Sequence, residues 1–137
     1  MADKVQLVDY FYAKVANKPG EGYNLLEQFS KRGVNLMAFT AFPVGEGKAQ
    51  MDLIPESAKQ LHEVADNANI DLIGPKKAFL IQGEDKIGAL NEHHLKLASA
   101  GVNIRAGNAV CDGSGKFGYV FWVEPEDFEK AAEALGI

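Results

Sequence analysis

The stretch GVNL at residues 33–36 returns almost unchanged as GVNI at residues 101–104. The two copies begin at residues 33 and 101, which is an offset of 68. The same offset aligns further pairs: Lys18 and Gly20 with Lys86 and Gly88, and the loop GEGK (45–48) with GSGK (113–116). A repeat of this length predicts two copies of one structural unit. We place them at residues 1–74 and 75–137.

Composition is that of an ordinary globular chain, with 47% apolar and 24% charged residues among 137. Units this small are near the lower limit of independent stability. The net charge of −5, without a stripe of Lys or Arg, argues against nucleic acid or an anionic membrane as a partner. The single cysteine excludes an internal disulfide framework. The start MADKVQ has no apolar run, and we expect a cytoplasmic protein.

The first copy begins with a strand over Val5–Val15, which is rich in Val, Tyr and Phe. The turn residues 17–20 (NKPG) end it. Leu25, Leu26 and Phe29 then recur at helical spacing, and Gly33 supplies the helix stop. The pattern predicts a strand, a tight turn and a helix.

The rest of the first copy predicts a hairpin, a helix and a short strand. Apolar residues 34–44 form the second strand, Gly45-Glu46-Gly47 the hairpin turn, and residues 49–53 the third strand. We expect Pro55 to open the second helix, and Ile70, Leu72 and Ile73 to form the last strand before Gly74-Pro75. The order is βαββαβ, the ferredoxin-like unit, with an antiparallel sheet and helices on one face.

The second copy repeats this order but stops at Ile137. Its last strand is therefore predicted to be missing or vestigial. Tyr10, Val120 and Trp122 lie on strand faces that one helical layer would leave uncovered. Because apolar character on both faces of an antiparallel sheet indicates a second packing layer, we expect a homo-oligomer.

The two copies resemble the ACT domain, a small ligand-binding module. The resemblance is carried by Asn17-Lys18-Pro19-Gly20 with the GVNL stretch, and by Asp85-Lys86-Ile87-Gly88 with the GVNI stretch. It covers nearly the whole chain, and the order of elements agrees with it. The chain is therefore interpreted as a tandem ACT protein.

This resemblance implies regulation rather than catalysis. ACT domains bind amino acids where two domains meet, between the Asx-x-x-Gly turn of one and the second-strand start of its neighbour, and an attached or partner enzyme responds. Carried onto this chain, the ligand-binding positions are Asn17, Gly20, Asn35 and Leu36 in the first copy, and Asp85, Gly88, Asn103 and Ile104 in the second.

Physical chemistry supports these positions. A turn that enters a helix presents free N–H groups to a ligand carboxylate, and glycine permits close approach of the backbone. Asn17 or Asp85 could accept from a ligand ammonium, while the alternative is that each merely caps its turn or helix. Pro19-Gly20 becomes Ile87-Gly88 in the second copy, which leaves open which copy holds the ligand.

Other candidate sites are weaker. His93 and His94 align with Leu25 and Leu26 on the core side of a helix, and neighbouring helical residues diverge by about 100°, so packing is favoured over a metal site. Cys111 has no partner at the spacing of a nucleophilic site. GEGK and GSGK join two strands and are interpreted as hairpins. We expect neither a metal nor a cofactor, and no enzymatic activity.

The function predicted is that of a regulatory protein that senses an amino acid at an interface between ACT domains. The alternative is an interaction module that binds no small molecule and regulates a metabolic enzyme by docking. An enzyme ranks third, because the fold licenses no function by itself.

Overall fold

The computed structural model describes residues 2–137. Its elements are β1 (Lys4–Ala16), α1 (Glu21–Ser30), β2 (Leu36–Gly45), β3 (Lys48–Pro55), α2 (Ala58–Asn67), β4 (Ile73–Glu84), α3 (Asn91–Ser99), β5 (Ile104–Cys111), β6 (Lys116–Val123) and α4 (Phe128–Leu135), with a 3₁₀ turn at Pro125–Asp127. This α+β order confirms the predicted fold class. One boundary was wrong, because Pro55 ends β3 and α2 begins only at Ala58, after the cap Ser57.

The chain forms two compact units. The first unit is Asp9–Lys76. The second unit consists of the residues up to Val8 together with Lys77–Ile137. The chain passes from one unit to the other between Lys76 and Lys77, inside β4. Both β1 and β4 are long strands that contribute residues to each unit.

The first unit has the strand order β2-β3-β1-β4. Strand β3 is antiparallel to β1 and to β2, with Leu53 opposite Phe11 on one side and Phe39 on the other. Apolar residues on one face of this sheet pack against α1 and α2. The buried core comprises Phe11, Ala13, Leu25, Phe29, Val34, Met51, Leu53, Leu61 and Ala65.

The second unit has the strand order β1-β4-β6-β5. Of strand β1, the second unit contains only the start, up to Val8. In the ferredoxin-like order the fourth strand lies beside the first, and here residues 4–8 lie in that place beside β4. No strand follows α4 in the described chain, as predicted, but the N-terminal residues occupy the position.

Both copies of the repeated stretch end a helix in the same way. Gly33 and Gly101 have φ angles of 79° and 76°, which favour glycine because other residues are strained there. The next residue donates its N–H back into the helix, from Val34 to the Phe29 carbonyl at 3.1 Å and from Val102 to the Leu97 carbonyl at 2.9 Å. The prediction of a glycine helix stop is confirmed in both units.

A hydrogen bond between two side chains attaches the N-terminal segment to the second unit. Nε2 of His93 lies 2.7 Å from Oδ2 of Asp3, and the two side chains are only 10% and 18% exposed. Gly83 makes room for this pair, since a Cβ there would collide with the Asp3 carboxylate. His93 therefore serves packing and strand attachment, which agrees with the structural interpretation favoured from the sequence.

The sheet faces that the helices do not cover are less exposed than the sequence suggested. Tyr10, Val120 and Trp122 are 9%, 6% and 6% exposed within the single chain. They therefore provide no uncovered apolar surface, and the sequence argument for a homo-oligomer loses its main support. No helix in the described residues is both long and apolar enough to cross a membrane.

Replacement of Asp3 by alanine is expected to lower the free energy of unfolding by about 1–3 kcal/mol, because a buried imidazole nitrogen loses its hydrogen-bond partner. Urea unfolding followed by the fluorescence of Trp122, the single tryptophan, measures this in the second unit. The matched control is Asp71→Ala, at the corresponding repeat position but exposed, which should change stability by less than about 0.5 kcal/mol. Equal effects of the two variants would contradict the role given to the Asp3–His93 contact.

Candidate functional site

The four predicted positions of the first unit lie at two separate places. Asn17 follows the end of β1, whereas Leu36 begins β2. Both strands are antiparallel to β3, so they run in the same direction and these residues lie at opposite ends of the sheet. Asn17 lines one pocket, and Asn35 and Leu36 line another.

The first of these, which we name the turn pocket, lies where β1 leads into α1. It has a volume of ≈ 260 Å³. Its lining residues are Val15, Ala16, Asn17, Lys18, Glu21, Gly22, Ala41, Phe42, Pro43, Ala49 and Met51. The volume lies just below the ~300–1,000 Å³ of pockets for drug-sized ligands, so the pocket suits a molecule of amino-acid size.

The turn pocket has an apolar floor formed by three strands. Val15 pairs with Ala49, which pairs with Pro43 on its other side. Met51 pairs with Ala41 in the next row on the same face. Apart from Met51, the side chains on this face of the floor are small, and they lie below the pocket.

Gly22, in the first turn of α1, covers the inner end of the pocket without filling it. A Cβ at this position would lie 2.7 Å from the Met51 methyl group. Since Gly22 has no side chain, the Met51 side chain reaches under the helix and forms part of the floor. The sequence did not single out Gly22 or Met51, although the period-two pattern of β3 places Met51 on the core face.

The rim of the turn pocket carries one cation and one anion. Nζ of Lys18 lies 3.6 Å from Oε1 of Glu21. The backbone N–H of Asn17 donates to the Gly47 carbonyl at 2.8 Å, which fixes the turn against the β2–β3 hairpin. Its side chain does not cap the helix, because the N-cap residue of α1 is Gly20, without a side-chain cap.

Gly20 starts α1 in a left-handed backbone conformation and has open space beside it. Its φ angle is 93°, and nothing lies within 4 Å of the place where a Cβ would be. Glycine is therefore needed for the backbone conformation that starts α1, rather than for a close approach within this chain.

The second pocket, which we name the helix pocket, lies between α1 and the start of β2. Its volume is ≈ 300 Å³, and its lining is Tyr23, Leu26, Glu27, Phe29, Ser30, Val34, Asn35 and Leu36. A hydrogen bond to Glu27 raises the pKa of the exposed Tyr23 hydroxyl. Asn35 and Leu36 thus belong to a largely apolar groove rather than to the turn pocket.

In the second unit the predicted turn engages its own neighbours. The Asp85 N–H donates to the Gly115 carbonyl at 2.9 Å, which matches the bond made by Asn17. The Cys111 thiol donates to the Asp85 carboxylate, and this raises the pKa of the thiol, with smaller contributions from lost solvation and from Asp112. Asp85 does not cap α3, whose N-cap is Leu90 without a side-chain cap.

The other predicted positions of the second unit are partly engaged. Gly88 has a φ angle of 71°, and a Cβ there would lie 2.9 Å from the Asn91 side-chain nitrogen. Asn103 is exposed, and Ile104 begins β5 opposite Val123. These two again lie at the opposite end of the sheet from Asp85.

The floor of the turn pocket has bulkier counterparts in the second unit. At the offset of 68, Phe117 stands for Ala49, Tyr119 for Met51 and Leu90 for Gly22. Phe117 and Tyr119 are buried members of the core, and Leu90 packs against it. Gly83 corresponds to Val15, and a Cβ there would collide with the Asp3 carboxylate and lie 3.1 Å from the Phe117 ring.

Neither histidine of α3 belongs to a metal cluster in the described chain. Nε2 of His94 lies 2.9 Å from the Tyr119 hydroxyl, with the two rings stacked at 5.6 Å. Burial raises the pKa of the Tyr119 hydroxyl. Among residues 2–137 no three His, Cys, Asp or Glu side chains are grouped closely enough to hold a metal ion.

Solved structures with the same fold are known, although no family model and no curated protein sequence matches this chain. Protein BT0572 from Bacteroides thetaiotaomicron has a TM-score of 0.79 at 16% identity, over 96% of this chain and 88% of its own. The ligand-free regulatory subunit of aspartate kinase from Thermus thermophilus has a TM-score of 0.62 at 18% identity, over 96% and 93%.

A third similar structure is a putative C-terminal regulatory domain of aspartate kinase from Porphyromonas gingivalis W83, with a TM-score of 0.53 at 18% identity, over 98% of this chain and 94% of its own. Similarity at these identities establishes the fold. The prediction of tandem ferredoxin-like units is confirmed at the level of the fold.

Replacement of Asp85 by alanine is expected to lower the pKa of the Cys111 thiol, because the carboxylate acceptor and its charge are removed. The thiolate fraction at pH 8 then rises, and alkylation by iodoacetamide becomes several-fold faster. Cys111 is the single cysteine, so mass spectrometry of the intact protein measures its rate alone. Glu84→Ala, whose carboxylate lies near Lys116 instead, is the control, and an equal acceleration there would refute the assignment.

Proposed function

We propose that the protein is a regulatory module that binds a small α-amino acid in the turn pocket of the first unit. The observation that carries this proposal is the pairing of one cation with one anion on the rim of a pocket of amino-acid size. Lys18 and Glu21 lie 3.6 Å apart. A zwitterionic ligand presents the complementary pair, a carboxylate and an ammonium, to the same two side chains.

The backbone around Gly20 supports this assignment. The first N–H groups of a helix have no partner within the helix, and α1 lacks a side-chain cap. These groups carry a partial positive charge that favours an anion. The ligand carboxylate is therefore assigned to the start of α1 beside Lys18, and its ammonium to Glu21 and Asn17.

The likeness to regulatory parts of aspartate kinase supports a regulatory role over a catalytic one. Two of the similar structures are a regulatory subunit and a regulatory domain. The likeness concerns the fold, so the role is carried by the pocket and not by the comparison. A cytoplasmic enzyme of amino-acid metabolism is the partner we propose, with amino-acid binding as the signal.

The predicted positions at the start of β2 call for a second copy of the chain. Asn35 and Leu36 lie at the end of the sheet opposite Asn17, so one first unit cannot bring all four residues together. We propose that a complete site takes Asn17 and Gly20 from one copy and Asn35 and Leu36 from another. In this proposal, the homo-oligomer expected from the sequence is needed to complete the ligand site.

Lys18→Gln is expected to weaken amino-acid binding by about tenfold, since a charge-assisted contact to the ligand carboxylate is lost. Isothermal titration calorimetry with each of the twenty amino acids measures this. A ligand at one hundred times its Kd should also stabilise the protein by about 2.7 kcal/mol in thermal unfolding.

The matched control is Lys86→Gln, which removes the corresponding lysine of the second unit and should leave the affinity unchanged. If no amino acid gives heat or a thermal shift, the ligand-binding proposal fails. Capture of a metabolic enzyme that is unaffected by amino acids would then favour the alternative, a ligand-free interaction module.

A further inference from the structure

We infer that the turn pocket selects an amino acid with an apolar side chain of leucine or methionine size, and that each chain binds one such ligand. This inference rests on the proposed function and names the ligand class for the same site. Three features carry it: the chemistry of the floor, the number of charges on the rim, and the bulk of the corresponding residues in the second unit.

The floor offers only apolar contacts to a ligand side chain. Val15, Ala49 and Pro43 form one row across the sheet, and Ala41 and Met51 form the next. A ligand side chain that enters between these residues is transferred from water into apolar surroundings. This transfer favours apolar groups in proportion to the area buried. A hydroxyl or amide there would meet no polar side chain and would lose its hydrogen bonds to water.

The rim has no charge to match a charged side chain. Among the described residues that line the turn pocket, Lys18 and Glu21 are the two ionisable ones. The ammonium and carboxylate of the ligand backbone use both. A lysine, arginine, aspartate or glutamate ligand would bring a third charge close to Met51, which is 6% exposed, without a partner for it.

The depth of the pocket limits the side chain to moderate size. Its volume of ≈ 260 Å³ must also hold the backbone of the amino acid. At the inner end the Met51 methyl group packs against Gly22, and the flexible Met51 side chain can adjust to branched or unbranched ligands. A compact aliphatic or thioether side chain therefore fits the space.

The second unit is filled at the corresponding place by its own side chains. Leu90, Phe117 and Tyr119 replace Gly22, Ala49 and Met51, and all three pack in or against the core of that unit. They make the kind of apolar contact that a ligand side chain would make in the first unit. This predicts one ligand per chain, bound in the first unit.

Calorimetry with L-leucine, L-methionine, L-threonine, L-aspartate and L-lysine tests the inference on the unmodified chain. Leucine or methionine should bind at least about tenfold more tightly than the other three, since a few methylene groups in an apolar pocket discriminate by about 10- to 200-fold each. The stoichiometry should be one per chain. Tightest binding of lysine, aspartate or threonine, or two ligands per chain, would overturn it.

A pair of matched variants tests whether the floor of the turn pocket determines which amino acid binds. Ala41→Glu adds a carboxylate to the floor and should weaken leucine binding at least about tenfold while improving lysine binding. Ala109→Glu makes the same change at the corresponding exposed position of the second unit and should alter neither. Equal effects of the two variants, or unchanged leucine affinity in Ala41→Glu, would overturn the inference.

The outcomes separate this inference from the proposed function. Binding of a charged amino acid, lost in Lys18→Gln, would overturn the apolar class and leave the turn pocket as an amino-acid site. Absence of binding by every amino acid would overturn both. Calorimetry with the five amino acids on the unmodified chain decides the ligand class by itself. The inference can therefore be refuted even if a variant fails to fold.

Discussion

Each unit depends on one local constraint, the bond that closes its first helix. Val34 and Val102 donate their N–H groups back to carbonyls one turn earlier, which the left-handed glycine before each valine allows. The same valines are 7% and 6% exposed, so the hydrogen bond and the apolar contact act together. The chain therefore leaves the helix in one direction and enters β2 or β5 with its core face correctly aligned.

The two units differ in the residues that lie beside their first helix. In the first unit the Met51 methyl group packs directly against Gly22, and both residues line a pocket. In the second unit bulkier residues occupy the corresponding positions and join the core. The same repeat position is therefore lined by small residues beside a pocket in the first unit and by core side chains in the second.

The candidate site was predicted in part. Asn17 was expected from the Asx-x-x-Gly turn and does line the turn pocket. The floor residues were not expected, because they come from three strands whose register appears only when the hairpin and β1 are paired. Asn35 and Leu36 were predicted as partners of Asn17, but the parallel course of β1 and β2 separates them within one unit.

The sequence by itself determined the repeat, the helix stops, the hairpins and the order of elements, because glycine conformation and apolar periodicity are local properties. Only the tertiary structure decided which residues complete each sheet. The N-terminal residues up to Val8 join the second unit, and the Asp3–His93 hydrogen bond attaches them. Strand pairing joins backbone groups that are far apart in sequence, so no local pattern marks the partner. The apparent absence of a last strand after α4 was therefore settled by residues at the other end of the chain.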